Sequence, residues 1–171
     1  ESLNTTTNGI RYTWDVTDNP KVTGESDSDA TGQLVGTAIQ QTLTNTSADT
    51  AILRYRITPW TIDNNGDNRC AGTPLEVDIW VNPIPDLSVI ITPDTTICDT
   101  TEITFTVNSE NIEVVGARRY QLTTNNPDGV LGVQSDGEYE YGIFNNILIN
   151  PTNEVKTVPY NFHPIIKDPK T

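Results

Sequence analysis

The chain has 171 residues, enough for one large domain or two small ones, and sets 23 acidic side chains against 10 basic ones for a net charge of −13. That balance excludes nucleic-acid binding by counterion release, which needs clustered Lys and Arg, and it argues against an anionic membrane surface. Abundant Thr, Asn and Asp with sparse Lys and Leu fit an extracellular β protein. No signal peptide, membrane span or lipidation motif is visible, and the absence of Met leads to the expectation of a piece of a longer protein.

Period-two alternation dominates and helical periodicity is nearly absent. From the N-terminus, strands are predicted at 10–16 and 33–43, then at 50–58, where Ala51, Leu53, Tyr55 and Ile57 share one face and Arg54, Arg56 and Thr58 the other. The polar stretch at 63–68 follows, then a strand at 75–81 with Leu75, Val77, Ile79 and Val81 opposed to Glu76, Asp78 and Trp80. Two prolines in "VNPIPDL" (81–87) cannot both serve a central strand and read as a stiff, extended linker. The domain boundary is placed near Pro85, giving modules 1–85 and 86–171. Beyond it, strands are predicted at 87–91, 102–107 (Ile103, Phe105 and Val107 inward), 112–115, 118–123, 139–149 and 155–162. Turn signals lie at 18–20, 64–67, 125–129 and 135–137. The pattern implies β-sandwiches.

The two modules repeat one another. Leu43, Asn45, Tyr55, Ile57 and Pro59 recur as Leu148, Asn150, Tyr160, Phe162 and Pro164, all at an offset of 105. Upstream, Arg11-Tyr12 recurs as Arg119-Tyr120 and Pro20 as Pro127 at offsets of 108 and 107. In this register Cys70 is a late cysteine of the first copy and Cys98 an early cysteine of the second. Their counterparts fall near position 175 and about ten residues before Glu1. The register therefore predicts one bridge within each complete copy, both thiols free here, and modules truncated at the N-terminus of the first and the C-terminus of the second. A Cys70–Cys98 bridge across the linker is the alternative.

The run from Ile52 to Leu87, with its Y-x-I-x-P strand end, polar loop, C-x-G and V-N-P-x-P junction, resembles the PKD-like repeat of Bacteroidota cell-surface proteins. "TTICDTTEITFTV" is similar to the start of the next repeat, and "RYTW" (11–14) resembles its Y-x-W strand. Two departures stand out: Leu122 replaces the Trp in the second copy, and Asp99 replaces the Gly after the early cysteine. The resemblance implies tandem Ig-like, PKD-like β-sandwich modules from a large extracellular surface protein, such as a SprB-type gliding adhesin exported by the type IX system. It implies a non-enzymatic structural or adhesive role, with neighbouring repeats and outer-membrane export or motility machinery as partners. The rival is an accessory carbohydrate-binding module of a secreted hydrolase.

No catalytic, cofactor-binding or metal-ligating residue is assigned. His163, the lone histidine, matches Thr58 of the first copy and has no nucleophile nearby in the repeat frame, so it reads as a surface residue. Asp63, Asn65 and Asp67 have the alternate spacing of a calcium loop. However, Gly66 stands at the fourth place and Pro74 at the twelfth, which excludes an EF-hand and favours a hairpin turn, with a looser calcium site as the alternative. Trp60 and Trp80 are candidates for stacking on a sugar. Asp49-Thr50-Ala51, Asp94-Thr95-Thr96 and Asp99-Thr100-Thr101 fit an O-glycosylation pattern known from the resembling proteins, and Asn4 and Asn45 stand in N-glycosylation sequons.

Overall fold

The computed structural model describes residues 9–126 and 129–168. Over these residues the chain is all-β, and it divides into two units, Glu1–Pro83 and Ile84–Thr171. Residues 82–87, which hold both junction prolines, belong to no strand.

The first unit contains β1 (Ile10–Val16), β2 (Val22–Thr23), β3 (Gln33–Leu34), β4 (Thr44–Asn45), β5 (Ala51–Ile62), β6 (Asn68–Ala71) and β7 (Leu75–Val81). β1 runs antiparallel between β3 and β5, and the other edge of β5 takes β7 along its first half and β6 along its second. Alternation explains what this sheet buries. Ala51, Leu53 and Tyr55 of β5 join Trp14 of β1, and Val22 of the β2–β4 ribbon closes over them with Ile39 and Leu43. Ile52, Arg54 and Arg56 face outward.

One residue breaks the expected alternation. Thr58 is buried rather than wet, although it lies on the outward face. Its register partner is Thr13, and the Trp60 indole N–H donates to Thr13 Oγ1 at 2.9 Å, which lays the ring over this part of the face. β7 departs from expectation in the other direction. Its Leu75 and Ile79 sit opposite Ile57 and Leu53, on the core face, yet they remain 62% and 38% exposed.

The second unit contains β8 (Ser88–Thr92), β9 (Glu102–Asn108), β10 (Ala117–Thr124), β11 (Gly137–Tyr139), β12 (Gly142–Ile147) and β13 (Tyr160–Lys167). They form two three-stranded sheets, β12-β9-β8 and β11-β10-β13. Phe105 and Val107 of the first sheet meet Tyr120, Leu122 and Phe162 of the second. Phe105 stacks on Phe144 at 4.7 Å and reaches across the layers to Tyr160 at 4.6 Å, an aromatic core between two sheets.

Four predicted strands are shorter than expected or absent. Of 33–43 only Gln33 and Leu34 form a strand on β1, with Val35 N–H donating to Ile10 O, and Gly36 at φ +95° then turns the chain away. The stretch 112–115 is a loop, ending at Gly116 with φ +115°. The 139–149 run is divided between β11 and β12, with Gly142 at φ +149°. In 155–162 the ladder begins only at Tyr160. Pro127 of the repeat lies outside the described residues, as does part of the 125–129 turn.

The offset seen in the sequence returns as hydrogen bonds. Asn45 Nδ2 donates to Asp49 O, and its Oδ1 accepts from Ser47 N and Oγ. Asn150 makes the same turn with Glu154 O and with Thr152 N and Oγ1. The Tyr55 hydroxyl donates to Gln41 Oε1, and the Tyr160 hydroxyl to Asn146 Oδ1. The carboxylates of Asp27 and Asp136 accept the backbone N–H of Val16 and of Thr124, each at 2.7 Å.

Candidate functional site

The loop after β5 is a hairpin tip built around one carboxylate. Asp63 Oδ1 accepts the N–H groups of Asn65 and Asp67 at 2.9 and 3.0 Å, and Gly66 supplies φ +87°. Arg69 lies 3.6 Å from the other oxygen. These contacts, the bond from Asp67 N–H foremost, hold the Asp63 carboxyl below its ordinary value despite the opposing effect of burial. The carboxylate that would head a calcium loop is therefore engaged by its own backbone. Among the described residues no group of three His, Cys, Asp or Glu side chains converges as a metal set.

The outward face of the first sheet carries the exposed aromatic. Trp80 is 57% exposed and sits opposite Ile52. Next to it, Arg54 forks onto Asp78 at 2.7 and 2.9 Å, with Glu76 3.8 Å away. Trp60 shares this face, but it lies eight positions along β5 from Ile52, or roughly 26 Å at strand rise. The two indoles cannot clasp one pyranose. What remains is a single ring beside an Arg–carboxylate pair.

His163 is exposed on β13 opposite Gln121. Cys70 on β6 and Cys98 between β8 and β9 are both free and exposed. Of the modification candidates, Thr50 donates to Asn82 Oδ1 at 2.7 Å, whereas Thr95 and Thr100 are exposed and their hydroxyls donate to the neighbouring Asp94 Oδ1 and Asp99 O. Asn45 is buried, with Nδ2 donating to Asp49 O and Val81 O, each at 2.7 Å. Asn4 lies outside the described residues.

Sequence reasoning missed Asp86. Its Oδ1 accepts Ser109 Oγ at 2.6 Å and the N–H groups of Glu110 and Asn111 at 3.1 and 3.2 Å. Its N–H donates to Asn111 Oδ1, and its carbonyl accepts the Tyr141 hydroxyl at 2.8 Å. Burial pushes the carboxyl up, but the Ser109 and backbone donors outweigh it and hold the group below its ordinary value. Asp86 thus ties the first residues of the second unit to the β9–β10 loop. Its place directly after the Pro-x-Pro junction was the available signal.

Residues 1–85 match the family model of the PKD-like domain. No curated protein and no solved structure matches the chain.

Proposed function

We propose that this chain, whose first half is similar to the PKD-like domain and whose second unit repeats the same hydrogen-bonded turns, is a structural or adhesive segment of an extracellular surface protein. The observation that carries this is the duplicated Asn turn. Asn45 and Asn150 hold the same contacts 105 positions apart, while the exposed side chains around them differ. A module repeated in its scaffold and varied on its surface suits a stalk or filament that gains reach by repetition. The acidic surface keeps such copies from associating. On this reading the segment is non-enzymatic, lies at a bacterial cell surface and works beside further repeats. A gliding adhesin exported by the type IX system is the setting that the resemblance favours.

The test is mechanical and topographical. Pulling on the full chain should give two separate unfolding events, and antibodies against it should label intact source cells. Labelling only after lysis would sink the surface role.

The exposed Trp80 beside Arg54 and Asp78 favours a second reading, a glycan-binding module. Micromolar binding on a glycan array that disappears in Trp80→Ala would replace the structural reading with this one.

A further inference from the structure

Among the described residues the second unit has an open sheet edge next to an apolar cleft, and the first unit shows what fills such an edge. β5 is paired on both sides, by β1 and by β7. β13, its counterpart, is paired with β10 on one side. Pro159 O accepts Asn125 N–H from the β10 side, so the backbone of Tyr160 and Phe162 alternates toward the other edge. Along that edge lies a cleft of about 790 Å³, with Val89, Ile91 and Phe105 on one wall and Val158, Tyr160 and Phe162 on the other. Its rim holds Val155, which is 96% exposed.

The residues equivalent to 156–158 are 51–53, and there the first unit has ladder instead of loop. Ala51 pairs with Val81, Leu53 with Ile79, and Tyr55 with Val77. Asn45 also donates across to Val81 O on β7, and its counterpart Asn150 lines the cleft.

We infer that this cleft is the seat of a further antiparallel strand patterned like β7, supplied by the same polypeptide after β13 just as β7 follows β5. The register follows from the repeat. The positions equivalent to Val81, Ile79, Val77 and Leu75 pair with Lys156, Val158, Tyr160 and Phe162, and Asn150 Nδ2 donates to the carbonyl at the Val81 position. Main-chain hydrogen bonds to the edge give the affinity, and alternate apolar side chains in the cleft give the register. Binding extends the ladder back through 155–159.

The probe is a synthetic peptide with the sequence of residues 74–83, added to the full 171-residue chain. Amide exchange at Tyr160 and Phe162 should slow by about tenfold or more. A control peptide carrying Val77→Asp and Ile79→Asp should leave it unchanged. A second arm appends the sequence of residues 62–83 after Thr171. This chain should melt several degrees above both the native chain and the same extension with the two Asp changes. The inference is overturned if patterned and control segments act alike, or if neither the peptide nor the extension protects Tyr160 and Phe162. A concentration-dependent dimer of the native chain in which β7 loses exchange protection would assign the cleft to a second copy and overturn supply by the same polypeptide.

Discussion

Two side chains anchor turns that the sheets alone would leave loose, and their substitution separates the two units. Asn45 is buried and makes four hydrogen bonds, one of them to β7. Asn45→Ala strands those partners and should cost about 2–3 kcal/mol, read as a lowered denaturant midpoint of the first unit. Asn150→Ala, half-exposed and without a bond to a strand like β7, should cost roughly half as much. Asp86 carries a pH signature. Its folded carboxyl lies below the ordinary value of about 3.9, so the stability it contributes is complete above that value and is lost as pH falls through the folded value. Acid titration below about pH 4 should therefore destabilise the native second unit more steeply than the Asp86→Asn variant, which starts lower at neutral pH. Asn45 was legible, because it recurs at the common offset. Asp86 was legible only through its place after the Pro-x-Pro junction, because the partners of its carboxylate lie 23 to 25 residues away and no local pattern identifies them.

At the level of elements, legibility followed the neighbours each strand acquires. β9 alternates cleanly in sequence because a core layer stands against one face along its length, whereas β1 is buried at Trp14 and open at Ile10. The segment 155–159 places Val155 and Val158 near β13 but has no strand beside it among the described residues, so the sequence pattern overstated the ladder. Thr58 failed for the opposite reason, since an outward position was covered by an indole from two residues on. Glycines mark where elements end. Gly24 at φ +94° would bring a Cβ to 2.0 Å from Thr42 O, and Gly132 at φ +77° would bring one to 2.0 Å from Ile147 O. Neither clash is with a side chain that can swing aside. Gly24→Ala and Gly132→Ala should each destabilise the unit that carries them by about 2–4 kcal/mol, while Gly66→Ala, open at the hairpin tip, should cost less. Chemical denaturation of the three variants checks the order.

For the whole molecule, the two cysteines give a direct measurement. Both thiols are free and exposed, one in each unit. Freshly purified protein should titrate two reactive thiols without denaturant, and its melting temperature should be the same with and without reductant. A higher melting temperature in the oxidised protein, lost on reduction, would reveal a bridge. The duplicated Asn turn also has a bearing on how the protein can be made. Asn45-Thr46-Ser47 is an acceptor triplet for oligosaccharyl transfer, whereas Pro151 spoils the same triplet after Asn150. In a eukaryotic secretory host the sugar would be attached to Asn45 during translocation, on the nitrogen that must later donate to Asp49 and Val81. Production in yeast or insect cells should therefore yield a chain with a native second unit and a damaged first one. Asn45→Asp would remove that acceptor, leaving only the Asn4 sequon, at the expense of those two bonds, and a bacterial host avoids the conflict altogether.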